Sequence, residues 1–481
     1  MSIKLLMFLL GRVALLAGTA LLLPLGLAFF EGAPGQAAFA ESALLMLVSG
    51  LVLTLAGRDH QRKVMVREGA LLLVLVWALL GIAGMLPYIL DSRLDWLDAA
   101  VESVSGFTTT GMSCIADDSP RPFLLWRSLT QWLGGLNILV ILVTVLPEIG
   151  GCFGMTLSLH QSIAFSQMLG RMKKAAYGVA SIYAVFTLIL AVLYGFCGLG
   201  VFDAVNLSLV TLATGGRYDS PAINGFDNAS LAAAAMLGML VSSGNFLLYW
   251  EAARRRTLGD VLRDTELRAF VALVVVFGLV TSWHLWRFDV YDLTHSLRYG
   301  FFEVLSFAST TGFAASHFEL WPAFDRYVLF ILVFVGGCIG SSTGGLKVIR
   351  FLVMLKSAGA EMRRTLHPHM IVHIALDGVT IPLKIVGRIL SFFFMFLSVF
   401  FVFVLLISLS GMTVLESMGL VAACLSSVGP AAMLAGGADT FVHLPAWTKA
   451  ACCCLMVLGR LEIFSFLIVL QTALGSLRRK W

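Results

Sequence analysis

Four short stretches of the 481-residue chain carry one polar signature. They read ESVSGFTTTGM (102–112), NLSLVTLATGG (206–216), EVLSFASTTGF (303–313) and LVAACLSSVGP (420–430). Aligned on Gly111, Gly215, Gly312 and Gly429, they set small or hydroxylated residues ahead of each glycine. These are Thr109 and Thr110, Ala213 and Thr214, Thr310 and Thr311, and Ser427 and Val428. None of these positions holds a carboxylate or an imidazole, so the chemistry open to them is coordination by peptide oxygen. Glycine permits positive φ, which lets carbonyls turn toward a shared axis. Rings of such carbonyls can replace the hydration shell of a cation without fixed charge. A small divalent ion sheds water reluctantly and wants carboxylates, whereas a weakly hydrated monovalent ion suits carbonyls. K⁺, with Rb⁺ as its mimic, is therefore the expected ligand, and these twelve residues are its expected filter. Glu102, Asn206 and Glu303 stand nine positions before their glycines; the fourth copy has Leu420 there and Glu416 further ahead.

Such loops need elements that hold irregular backbone away from lipid. The chain is 59% hydrophobic and only 13% charged, with mean hydropathy +0.92, which makes a bilayer its solvent. Apolar runs long enough to span fall near 5–30, 38–57, 68–90, 123–147, 175–198, 229–250, 269–287, 325–355, 385–410 and 446–470. The short apolar segments ahead of the glycines would measure roughly 15 Å as helix, half a bilayer. They must enter and return on one side. Irregular backbone at that depth is tolerated only when shielded or lining a wet cavity. The C-terminal ends of the short helices point inward and add negative potential there. A single Ser/Thr/Gly-rich segment would read equally as helix packing of the small-xxx-small kind; four registered copies in one topological slot do not.

The fold class expected is therefore an all-α integral membrane protein. Four pseudo-symmetric helix–pore loop–helix repeats surround a central pore, preceded by two extra N-terminal transmembrane helices. The boundaries read as 1–66 for those two helices, then 67–150, 151–260, 261–365 and 366–481 for the repeats. An A-x-A-like pattern at Ala38–Ala40 imitates a signal-peptide end, but the first run is too long for one and reads as a retained helix. Most of the 33 Lys and Arg residues fall on one set of loops, including Arg58, Lys173, Arg254 to Arg256, Arg363, Arg364 and the tail Arg478, Arg479 and Lys480. The positive-inside tendency makes that side, with both termini, cytoplasmic.

These residues resemble the Trk/Ktr/HKT superfamily of K⁺ transporters. The resemblance is strongest to the bacterial Trk-type membrane subunit of the TrkH/TrkG kind. It is carried by SGFTTTG, by WRSLTQWLGGL (126–136), by ASTTGFA, by GGCIGSSTGGLKVIR (336–350) and by GRLEIF (459–464), and it covers essentially the whole chain. It implies K⁺ uptake, with K⁺ as the transported ion and no organic cofactor. It also implies a homodimer in the bacterial inner membrane, among membrane lipid, with a cytoplasmic nucleotide-binding regulatory subunit of the TrkA type. The glycines of the eighth span weaken it as helix by about 1 kcal/mol each relative to Ala, which fits either a tight helix crossing or an intramembrane loop. The resemblance assigns a moving gate to Gly336, Gly337, Gly340, Ser341, Ser342, Thr343, Gly344 and Gly345, with Lys347 and Arg350 expected at its cytoplasmic edge. Arg460, expensive in the middle of the last span, reads as a positive charge beside the pore, as the resemblance also suggests; a partner at Glu462 is the plainer alternative. Arg217 follows the second glycine loop where the family usually has an uncharged residue, and the SSVGP loop also departs from the usual pattern.

Other chemistry is poorly supported. The eight cysteines form no C-x-x-C pair, and Cys452 to Cys454 read as packing residues. His367, His369 and His373 fall in a solvated basic loop. With Arg254 to Arg256, that loop could meet a cytoplasmic partner or anionic lipid headgroups. The net charge of +5 does not suggest nucleic acid. No H-E-x-x-H motif or catalytic dyad points to an enzyme. The remaining alternative is a secondary transporter of another small solute on broken helices. That architecture relates halves antiparallel, whereas these four loops enter from one side.

Overall fold

A computed structural model describes residues 3–58, 66–115, 119–144, 165–218, 226–257, 259–367, 373–377, 379–429 and 443–460. Two helices, α1 (Ile3–Glu31) and α2 (Gln36–Ala56), precede the repeats. They approach closely at small residues: a Cβ on Gly50 would lie 2.8 Å from Leu15 N. In lipid, such close contact replaces the missing hydrophobic drive between helices.

Each repeat then gives a long helix, a short helix and a return. The first comprises α3 (Val66–Leu90), α4 (Trp96–Phe107) and α5 (Arg121–Thr144). The second comprises α6 (Phe165–Phe196), α7 (Val201–Ala213), α8 (Ala229–Ser243) and α9 (Phe246–Arg255). After the five-residue α10 (Gly259–Arg263), the third comprises α11 (Thr265–Arg287), α12 (Leu293–Ala308), α13 (Ala323–Leu332) and α14 (Val348–Leu366). The fourth comprises α15 (Leu383–Ser408), α16 (Val414–Leu425) and α17 (Ala446–Arg460). Among the described residues the one paired extended segment is a hairpin of β1 (Ala375–Leu376) and β2 (Val379–Thr380).

Six helices are long and apolar enough to span a bilayer unaided, covering 3–31, 36–56, 71–90, 174–196, 265–287 and 383–408 among the described residues. Their outward positions, such as Leu188, Phe394 and Leu405, are exposed, while the four short helices are largely buried. The interior is instead rich in hydroxyls, with Thr108 to Thr110, Thr214, Ser309 to Thr311 and Ser426 all inaccessible. The outward face is thus apolar, as lipid as solvent requires, and the buried hydroxyls are concentrated at the ends of the short helices within an otherwise hydrophobic core.

Two expected spans are not continuous helices. The run 229–250 bends by 91° between α8 and α9. Gly244 leaves the helix there, and the Asn245 carboxamide oxygen restarts it by accepting the N–H groups of Leu247 and Leu248 at 3.0 and 3.3 Å, a normal N-cap. The run 325–355 is interrupted by a loop, residues 333–347, between α13 and α14.

Candidate functional site

All four short helices end in the same way. The N–H groups of Thr110, Gly215 and Thr311 donate to carbonyls five residues back at 2.9 Å, and that of Val428 does so at 3.0 Å. This is the long bond of a Schellman closure, whose preceding residue must be left-handed. Here that residue is never glycine. It is Thr109, Thr214, Thr310 or Ser427, with φ of 52, 54, 55 and 54°. Left-handed conformation at a β-branched residue costs roughly 1–3 kcal/mol, and the chain accepts that cost at three threonines and a serine in equivalent positions. Two residues after Thr109, Thr310 and Ser427 come Gly111, Gly312 and Gly429, with φ of 84, 75 and 82°.

The second loop shows where the letter alignment slips. Its positive-φ glycine is Gly216 (φ 78°), two residues after Thr214. Gly216, not Gly215, is therefore the counterpart of Gly111, Gly312 and Gly429. Gly215 corresponds to Thr110, Thr311 and Val428, and Ala213 falls one place before the ring segment. Asn206 also drops out of the column of Glu102 and Glu303, and its amide donates to Phe202 O at 2.8 Å within its own helix.

The four loops close on one another in sequence order. A Cβ placed on Gly111 would lie 2.3 Å from Gly215 O, and one on Gly216 would lie 2.4 Å from Thr311 O. One on Gly312 would lie 1.8 Å from Val428 O, and one on Gly429 would lie 2.2 Å from Thr110 O. Every glycine is thus backed by the equivalent carbonyl of the next loop, and the fourth returns to the first. Side chains are excluded at these points because neighbouring backbone already fills the space. The result is a closed ring whose level of carbonyls is Thr110, Gly215, Thr311 and Val428.

Two buried carboxylates fix the limbs that leave the ring. Glu102 accepts the Ser113 hydroxyl at 2.9 Å and Cys114 N–H at 2.8 Å, and Arg127 donates to the same hydroxyl at 3.4 Å. Glu303 accepts Ala315 N–H at 2.8 Å and Ser316 N–H at 3.1 Å. The recurrence of Glu nine residues before glycine was visible in sequence, but its task of satisfying backbone N–H groups in the following limb was not. At the other end of α4, Asp98 pairs with Lys449 of α17 at 2.7 Å.

The loop between α13 and α14 is packed against the first residue of the ring segments. Gly344 N–H donates to the Thr310 hydroxyl at 2.7 Å, and the Thr214 hydroxyl lies 3.3 Å from Ser342 O. The Ser342 hydroxyl donates to Leu212 O at 2.8 Å, and a Cβ on Gly344 would fall 2.0 Å from Ser426 O. Arg460 supplies the contact to the remaining loop. Its guanidinium donates to Thr108 O at 2.7 Å, to Ser342 O at 2.9 Å and to the Thr109 hydroxyl. The loop thus touches three ring segments directly and the fourth through an arginine. Among the described residues, the Ser427 hydroxyl alone of the four ring hydroxyls has no partner.

Lys347 departs from expectation. Its ammonium does not face an aqueous edge but turns back into the loop, donating to Ser341 Oγ at 3.1 Å, Thr343 Oγ1 at 2.8 Å and Thr343 O at 2.5 Å. Arg350 is likewise buried, its guanidinium 4.0 Å from the Phe392 ring centroid. Gly337 and Gly340 flank the part of the loop that is stitched to the α8–α9 bend by Cys338 N–H to Ser243 O (2.8 Å) and Phe246 N–H to Gly340 O (3.0 Å), and Gly336 lies against Gly344 O. Gly345 has φ 69° and turns the chain back toward α14.

Several residues singled out in the sequence lie elsewhere. His367 and His373 are exposed; His369, Pro430 and Glu462 lie outside the described residues. Of the consecutive cysteines, Cys452 is buried but Cys454 is exposed, so Cys454 is not a packing residue within this chain.

The fold and this ring define a class: multi-pass membrane proteins in which four re-entrant loops converge on one axis. Residues 34–476 match the family model for TrkH, described as a cation transport protein. The chain is 31% identical over 481 residues to the Trk system potassium uptake protein TrkH of Halomonas elongata, covering 98% of this chain and 99% of that protein. It is 33% identical over 467 residues to TrkH of Salmonella typhimurium, covering 95% and 96%, and 31% identical over 410 residues to TrkG of Escherichia coli, covering 84% of each. The crystal structure of the potassium transporter TrkH from Vibrio parahaemolyticus superimposes with a TM-score of 0.89 at 30% identity, covering 98% of this chain and 99% of that one. The chain belongs to the TrkH family and is a Trk-type membrane subunit.

Proposed function

We propose that this protein takes up K⁺ across the bacterial inner membrane through the ring of four loops. The observation that carries the reading is the ring's closure, with each glycine backed by the next loop's carbonyl at the level of Thr110, Gly215, Thr311 and Val428. Backbone held this tightly presents peptide oxygens at fixed spacing, and uncharged oxygens at fixed spacing suit a cation that gives up its water easily. The names of its relatives, as potassium uptake proteins, support the same ion. Selectivity then resides in residues 109–111, 214–216, 310–312 and 427–429. The loop of residues 336–345 acts as the gate, held by Lys347 from within and by Arg460 from the side. Arg460 also adds positive charge next to the pathway and limits cation occupancy.

The protein works as a homodimer with both termini in the cytoplasm, and a nucleotide-binding regulatory subunit docks on its basic cytoplasmic face. That assembly is supported by the family resemblance and by the charge of Arg254 to Arg256, Arg363 and Arg364. The test is uptake of ⁸⁶Rb⁺ into K⁺-loaded proteoliposomes, competed by external K⁺ or Na⁺. K⁺ should compete and Na⁺ should not; equal competition by Na⁺ would remove the filter reading.

A further inference from the structure

The intramembrane loop closes at a neck with three levels of cross-connection. Leu346 N–H donates to Phe334 O at 3.0 Å, and Val348 N–H donates to Gly337 O at 3.2 Å. The third level is different in kind. There the N–H groups of Ile339 and Ile349 share one acceptor, Oε1 of Glu266, at 2.8 and 3.2 Å. Two donors cannot bond each other, so this level closes only when an acceptor is supplied from outside the loop. Glu266 comes from the first turn of α11 and is buried. Without it, two buried N–H groups would lack partners, an arrangement that folded proteins avoid.

The same turn of α11 also reaches away from the loop. Asp264 caps the helix by accepting Leu267 N–H at 2.8 Å. The Thr265 hydroxyl, next to Glu266, donates to the Asp377 carboxylate in the β1–β2 hairpin. Lys356 of α14 donates to Ala375 O in that hairpin at 2.6 Å. The hairpin is therefore bonded both to the turn that holds the loop and to the helix that leaves it. Through Thr265, the hairpin is joined to the residue next to Glu266.

We propose that Glu266 is the positioning residue that holds the intramembrane loop against the ring, and that the β1–β2 hairpin is the handle through which a cytoplasmic event releases it. This deepens the gate reading above and rests on it and on the orientation proposed there. It adds a route from the cytoplasmic surface to the pore: Asp377, Thr265, Glu266, then Ile339 and Ile349.

The test measures ⁸⁶Rb⁺ flux through the full chain in proteoliposomes, together with the labelling rate of Cys338. That thiol sits in the loop between Gly337 and Ile339, is fully buried, and groups with the Asp264 and Glu266 carboxylates within 4.8 Å; its labelling is read by peptide mass spectrometry. Glu266→Ala should raise basal flux on the order of tenfold through loss of the buried acceptor, and should speed Cys338 labelling while leaving K⁺ over Na⁺ preference intact. Glu266→Gln keeps an acceptor oxygen and should restore most of the restraint. Thr265→Val and Asp377→Ala should each raise flux and labelling by a smaller factor, and the double variant should do no more than either alone. A folded Glu266→Ala protein with wild-type flux and labelling overturns the proposal if deletion of residues 341–344 does raise flux. If that deletion also leaves flux unchanged, the gate reading itself falls. Should Glu266→Ala fail to fold, unchanged flux and labelling in both Thr265→Val and Asp377→Ala overturn the proposal instead.

Discussion

The ring and the loop beneath it are built on opposite principles. The ring repeats one backbone motif four times, with side chains contributing chiefly by being absent at its glycines. Each of its glycines lies against the equivalent carbonyl of the next loop, with no room for a side chain, and the order returns on itself. The loop of residues 333–347 occurs once. Its shape depends on side chains, both its own (Ser341, Thr343, Lys347) and those of other elements (Thr310, Arg460, Glu266). The hydrogen bonds made by Lys347, Arg460 and Glu266 are charge-assisted and individually strong, and each joins a separate pair of residues. A closed backbone ring suits a fixed distance to an ion, and a loop pinned by separate side chains suits two positions.

The comparison yields separable expectations. Substitutions in the ring should change which ion passes, and substitutions in the loop should change how fast it passes. The largest effect is expected for Gly312→Ser, whose Cβ would lie 1.8 Å from Val428 O at φ 75°. The neighbouring carbonyl must move, and K⁺ over Na⁺ preference, measured by competition against ⁸⁶Rb⁺ uptake, should be largely lost. Next comes deletion of residues 341–344, which should raise Rb⁺ flux many-fold with the competition profile unchanged. Arg460→Ala removes the link from Ser342 O to the first ring segment and should raise flux several-fold, again at constant selectivity, in protein that elutes as wild type. The smallest effect is expected for the loop variant Ser341→Ala, which removes one of the three acceptors of the Lys347 ammonium and leaves the two on Thr343. It should raise flux slightly, in line with a net hydrogen-bond contribution of about 1 kcal/mol. A loop variant that changed selectivity, or a ring variant that changed only rate, would break the division.

Much of this was legible in the sequence because it is local. The four glycine loops, the half-length helices before them and the glycine-rich break each announce themselves within a dozen residues. The register of the second loop was not, because its Gly215-Gly216 doublet offers two glycines and only backbone dihedrals say which one turns left-handed. The bend after Ser243 had a signal, since Gly244 followed by Asn245 is a helix stop and restart, but apolar residues on both sides conceal it from hydropathy. Lys347 read as a boundary charge because basic residues usually end a span, whereas here the loop's hydroxyls satisfy the ammonium. Glu266 gave no sign of its role. It looks like an acidic residue in the first turn of a helix, and its partners Ile339 and Ile349 are distant in sequence and contribute only backbone.

In the proposed pathway the ion is held at the carbonyl level formed by Thr110, Gly215, Thr311 and Val428. Anomalous diffraction from crystals grown in Rb⁺ tests it most directly. A Rb⁺ peak is expected on the axis of the ring, coordinated by those carbonyls and displaced or lost in Gly312→Ser. A transport-competent protein with no Rb⁺ on that axis, or with its ion held by side chains elsewhere, would contradict it.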